Sequence, residues 1–276
     1  MAYVSVDADD RLEEGGLQFK SFLGNESGNA APAPESIPQQ TRRAPGTGGF
    51  WTVEYYQPFF DVDTKTVLTR CYTTLLPTSS SYLSTHLTPS ADLYGPFWTL
   101  TTLIFALFLS SSLASSISSY LSDPGAPVMY DFGLLSIAVT LVYTYGLALP
   151  ILLWLALRWL GVGEWSMVEA VAVWGYGQFV WIPVAILCVI PVPLLRWILV
   201  GIAFGLSGYF LVANVYPILA SAEAKATRLI VIVIALLHAG LALSFKYLFF
   251  SYYVVKEIGV GDPLGETPGS AGTLMF

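Results

Sequence analysis

The sequence predicts an all-α integral membrane protein, with five transmembrane helices preceded by a disordered cytosolic arm and one amphipathic helix. Three observations carry that prediction. The 276-residue chain is 55% hydrophobic and only 11% charged, with a mean hydropathy of +0.64, whereas soluble domains are usually about a quarter charged. Five apolar runs, near 96–119, 133–157, 168–190, 194–219 and 229–252, are each long enough to cross a hydrocarbon core about 30 Å thick. Residues 1–49, rich in Gly, Ala, Pro, Ser and Gln, bury too little apolar area to offset the entropy of ordering.

Within that arm, Phe19 and Phe22 of GLQFKSFLG form either a short adhesive motif or an incidental apolar spot. Residues 50–90 make the second region. It opens with FWTVEYYQPFF, where Tyr55, Tyr56, Phe59 and Phe60 need a lipid interface or a partner protein to cover them. DVDTKTVLTRCYTTLLP follows with helical periodicity. Val67, Leu68, Cys71, Tyr72, Leu75 and Leu76 fall on one half of the helix, and Thr66, Thr69, Arg70, Thr73 and Thr74 on the other. Asp61 or Asp63 caps its start and Pro77 stops it. Such a helix rests on the leaflet or docks on the bundle, and Cys71 is a candidate for palmitoylation.

A membrane domain over 91–256 begins at DLYGPFW. Asp92, Leu93, Tyr94 and Gly95 suit a type I turn, and Pro96 then opens the first span where a missing N–H costs nothing. This rigid elbow sets the angle between the arm and the span. In the third run, VAVWGYGQFVWIP places Gly175 and Gly177 around Tyr176 for close helix contact, and Pro183 predicts a kink that leaves the Phe179 carbonyl without its usual partner. Gly201, Gly205 and Gly208 of GIAFGLSG form a small-residue face suited to helix association, within the chain or with another subunit. The tail, 257–276, is short and Gly-rich.

No basic block of the kind that holds nucleic acid is present, and Cys71 and Cys188 do not suggest a disulfide framework. No signal peptide is visible. No cofactor or metal motif is found, and an enzyme is not predicted. The Asp131 and Asp262 contexts do not bring two carboxylates together at membrane depth. His238 and Lys246 are ionisable groups in the fifth run; the expected state of His238 is neutral and hydrogen-bonded. Lys and Arg favour a cytosolic N-terminus and a lumenal C-terminus, which leaves the Asn25 sequon unused.

DLYGPFW before the first span, WGYGQFVWIP in the third, FWTVEYYQPFFDVDT, the early LQF and RWILVGIAFGLSG together resemble the Yip family, in its Golgi-resident subgroup. The resemblance implies a non-enzymatic trafficking factor of Golgi membranes, with endoplasmic reticulum and transport vesicles as further locations. Its implied partners are prenylated Rab-type GTPases, other Yip-family proteins in a hetero-oligomer, and membrane lipid. A small channel, transporter or lipid scramblase, with Gln178, Asn214 and His238 lining a polar path, is the alternative from the residues themselves.

Overall fold

The computed structural model describes residues 49, 51–75, 82–88, 90–122, 131–161, 165–220 and 224–251. The regular structure among them is entirely helical, and five segments are long and apolar enough to cross a membrane: Tyr94–Ser122, Gly133–Trp159, Met167–Leu187, Pro193–Leu219 and Thr227–Phe249. The expected arm with Phe19 and Phe22, the Asn25 sequon, Phe50, Leu76, Pro77, Asp262 and the tail from Glu257 lie outside the described residues.

Two short helices precede the spans, α1 (Val53–Phe60) and α2 (Thr64–Leu75). Asp63 starts α2: its Oδ2 accepts from the Lys65 N–H at 3.1 Å and its carbonyl from the Val67 N–H at 3.1 Å. A π-helical turn at Leu83–Leu87 leads to the first span, α3 (Tyr94–Ser122). The second span joins α4 (Gly133–Tyr143) to α5 (Leu149–Trp159) through a π-helical turn at Thr144–Ala148. It stops at Gly161, whose φ of 85° is the left-handed conformation that ends helices and that glycine adopts without strain.

The third span is broken into α6 (Met167–Gly177) and α7 (Trp181–Leu187). At its start, Ser166 Oγ accepts from the Glu169 N–H at 3.1 Å, and Glu169 Oε2 accepts from the Ser166 N–H at 2.9 Å. This reciprocal cap, at a helix end that favours negative charge, explains a buried carboxylate at the head of a membrane helix. The expected kink is present, and it lies ahead of Pro183. Over Gln178–Val180 the hydrogen bonds tighten to three-residue spacing, so the Phe179 carbonyl, which Pro183 cannot serve, accepts from the Ile182 N–H at 3.1 Å.

The fourth span is α8 (Pro193–Leu219); the fifth is α9 (Ala224–Ser244), extended by a π-helical turn at Phe245–Phe249. The third span is the centre of the bundle, with 72% of its apolar window buried against 28–44% in the other four. It packs on α3, α5 and α8. Helices in lipid gain no hydrophobic energy by meeting, so close van der Waals contact and interhelical hydrogen bonds must hold them. Both are found. A Cβ on Gly146 would stand 2.5 Å from Leu100 Cδ2, and one on Gly177 would stand 3.0 Å from Phe210 Cδ1.

His238 ties three spans together. Tyr145 Oη lies 2.8 Å from Nδ1 and Ser207 Oγ 2.9 Å from Nε2. Since the single Ser207 proton goes to the Ala203 carbonyl at 2.6 Å, Nε2–H donates to Ser207. Both ring nitrogens are engaged.

Candidate functional site

The residues of the sequence motifs converge where the first span begins. Asp92, fully buried, stands just ahead of α3, and its Oδ2 accepts from the Gly95 N–H at 2.8 Å. Here the expected turn merges with the helix. The helix starts at Tyr94, so Pro96 is its third residue rather than its first, still within the turn where an N–H has no helical partner. The Leu93 N–H donates to the Phe59 carbonyl at 2.9 Å, tying α1 to the elbow.

Opposite Asp92 is Arg70 of α2, 2% exposed. Its Nη1 forms an ion pair with Asp92 Oδ1, and its Nη2 donates to the His86 carbonyl at 2.6 Å, the Ser90 carbonyl at 2.9 Å and Ser90 Oγ at 3.1 Å. Tyr176 of α6 donates its hydroxyl proton between the two Asp92 oxygens, 3.0 Å from each. A charge buried this deeply is tolerated because it is paired and hydrogen-bonded on several sides.

Glycine allows this approach. A Cβ on Gly95 would stand 1.9 Å from Tyr176 Oη, and one on Gly175 would stand 2.4 Å from Pro96 Cβ and 2.7 Å from Pro96 Cα. The DLYGP and WGYG stretches are therefore two halves of one interlock. Behind them, Tyr82 donates to the Arg70 carbonyl at 3.2 Å and meets the Phe210 ring at 4.8 Å. The Leu83 N–H donates to Asn214 Oδ1 at 2.9 Å, so the segment between α2 and α3 is anchored on α8 as well.

This anchoring changes the phase of α2. Arg70 and Thr74, assigned to its polar half, are buried, while Leu68 and Tyr72, assigned to its apolar half, are 47% and 61% exposed. Val67 and Leu75 pack against the core as half-buried residues. The Asp92 charge pulls Arg70 inward, and the helix rotates to follow it. In α1, Phe59 is buried, Tyr55 and Tyr56 are half-buried and Phe60 is exposed. Tyr94 and Trp98 face outward at the start of α3. On α8, Cβ atoms at Gly201 and Gly205 would meet nothing within 4 Å, and only Gly208 stands close to another side chain, His238.

Arg70, Tyr82 and Ser90 were not singled out as site residues in the sequence, and Asn214 was offered only for a polar path. One signal pointed to the first. Lys65 and Arg70 are the only cations between residues 44 and 157, so a buried Asp92 had two candidates nearby, and Lys65 is exposed. Two of the polar residues offered for a transport path are held by other groups. Asn214 is committed to Leu83 and Phe210, and His238 to Tyr145 and Ser207, while neither amide atom of Gln178 has a partner among the described residues.

Burial pushes the Cys71 thiol up to about 11, with the Asp92 charge adding to the rise and a contact with Thr99 opposing it. The thiolate fraction at neutral pH is then roughly a hundredfold below that of an exposed cysteine. With 5% exposure the side chain is also closed to enzymes, which removes it as a palmitoylation site in the folded protein. Maleimide is expected to label Cys71 only after denaturation. A peptide map showing labelling of the native protein within minutes would contradict that. His86, beside Arg70, is held below its ordinary range by burial first and by the guanidinium second, and Tyr82 is held above its own by burial.

A family model for the Yip1 domain matches residues 74–245, from the last turn of α2 to the first residue of the π-helical turn that follows α9. The chain is 37% identical over 202 residues to "Protein YIPF1 homolog" of Dictyostelium discoideum, a match covering 73% of this chain and 57% of that protein. It is 34% identical over 227 residues to "Protein YIP5" of Schizosaccharomyces pombe, covering 80% and 87% respectively. The chain thus spans little more than half the length of the first relative and most of the second. No solved structure matches it.

Proposed function

Because the chain belongs to the Yip1-domain family of multi-pass membrane proteins, we propose that it is a non-enzymatic membrane-trafficking factor that presents α1 and α2 to a prenylated Rab-type GTPase. The observation that carries this reading is the exposed apolar surface of the two helices and of Trp51 just ahead of α1. Trp51, Val53, Leu68 and Tyr72 are 93%, 80%, 47% and 61% exposed, and the elbow and the Arg70–Asp92 pair fix the helices on the bundle. A rigid apolar surface loses little entropy on binding. The orientation that serves the function puts this surface in the cytosol, with the protein in Golgi membranes and the C-terminus in the lumen. The face of α8 at Gly201, where a Cβ would meet nothing within 4 Å, is where a second Yip-family subunit would pack.

The test uses residues that the fold does not need. Val67 and Leu75 pack on the core, so charges there would disturb α2 itself. Val53→Glu with Leu68→Glu is expected to weaken capture of prenylated Rab proteins by the purified full-length chain about tenfold or more, with membrane insertion and thermal stability unchanged. Equal capture by the variant and the unaltered protein would refute the reading.

A further inference from the structure

A groove between α8 and α9 lies apart from the polar joint. It encloses about 250 Å³ and is walled by Gly205, Gly208 and Val215 on one side and Val231, Ala235 and His238 on the other. All six residues lie within membrane-crossing segments, where the surrounding medium is hydrocarbon. His238 adds no polar demand because both its nitrogens are engaged. The Phe204 ring stacks on it at 5.2 Å and 21°, which makes the deep end apolar.

Width, length and charge together identify an occupant. A helix is about 10–12 Å across and cannot enter so small a slot. Ten residues separate His238 from Arg228, roughly 15 Å of helix, and this is about half of a 30 Å hydrocarbon core, the depth of one leaflet. Arg228 is exposed and stands three and seven residues before Val231 and Ala235, the spacing of one helix face. It marks the end of the groove nearest α2, because Thr227 Oγ1 bonds the Leu219 carbonyl at 2.6 Å and Asn214, in the same part of α8, bonds Leu83.

The geometry points to a binding site for one acyl chain of a glycerophospholipid from the leaflet on the α1–α2 side, its methyl end against Phe204 and His238 and its phosphate on Arg228. The site is independent of any GTPase. A phospholipid held there would wedge α8 and α9 at a fixed separation.

The test is photolabelling of the full-length protein in phosphatidylcholine vesicles containing phosphatidylserine with a diazirine near the end of one acyl chain. Adducts are expected to concentrate on residues 204–219 and 231–238. Gly205→Leu, at a position where an added Cβ meets nothing within 4 Å, and Ala235→Phe should each fill the groove and reduce labelling there about fivefold or more, with unchanged thermal unfolding. Arg228→Gln should reduce it about two- to threefold at low salt and less at high salt. Adducts spread over all five spans in proportion to exposure would overturn the assignment, as would undiminished labelling of both filled variants. Preferential displacement of the probe by geranylgeranyl-cysteine methyl ester over phospholipid would assign the groove to an isoprenoid chain and overturn it too.

Discussion

Asp92→Ala is expected to lower the thermal unfolding midpoint in mild detergent by on the order of 10 °C and to reduce the yield of folded protein. The substitution leaves the Arg70 guanidinium, 2% exposed, without its counter-charge, and takes the acceptor from the Tyr176 hydroxyl and the Gly95 N–H. Breaking a buried pair by removing one partner costs about 3–5 kcal/mol, and each kcal/mol shifts the midpoint by about 2–4 °C at this chain length. The uncompensated charge is the main cost, so removing it as well should restore part of the loss. Arg70→Leu combined with Asp92→Ala is expected to be more stable than Asp92→Ala alone. Additive losses, or a shift below about 2 °C in the single variant, would show that the pair does not anchor the joint.

Gly175→Ala is the second large effect, and it acts by volume rather than charge. The added methyl would lie 2.7 Å from the Pro96 Cα and 2.4 Å from its ring, and neither can swing aside as a flexible side chain would. Overpacking of this kind costs about 1–3 kcal/mol in ordinary cores; here the obstruction includes backbone, and the upper end of that range is expected. The third span would have to part from the first, opening the Tyr176–Asp92 contact. Gly201→Ala on α8 provides the contrast, because a methyl there meets nothing within 4 Å. It should gain up to about 1 kcal/mol from helix propensity. Thermal scans of the two variants side by side decide the matter, since equal midpoints would mean that the interlock is not under steric control.

The spans were legible because twenty consecutive apolar residues have few other uses, and the apolar runs agree with the helices to within a few residues. The kink before Pro183 and the tight contact at Gly175 were legible for the same local reason, since each follows from the chemistry of one residue. Contacts between distant segments were not. Nothing around Gly175 names Pro96 as its neighbour, and nothing in the spacing of α2 shows that Arg70 turns inward. Periodicity sorts side chains by polarity, and a buried ion pair inverts that sort. The cap at Ser166 and Glu169 is readable as S-x-x-E ahead of an apolar run.

The partners of the joint are made at very different times. Arg70 and Asp92 are 22 residues apart, Asp92 and Tyr176 are 84 apart, and Leu83 and Asn214 are 131 apart. At about 5–20 residues per second, Tyr176 leaves the ribosome roughly 4–17 s after Asp92. During that interval the carboxylate is already synthesised but lacks the hydroxyl that completes its shell, and the π-helical turn at Leu83–Leu87 still awaits its anchor on α8. The surface carried by α1 and α2 therefore reaches its final placement only when the fourth span has been made, which couples its presentation to completion of the membrane domain.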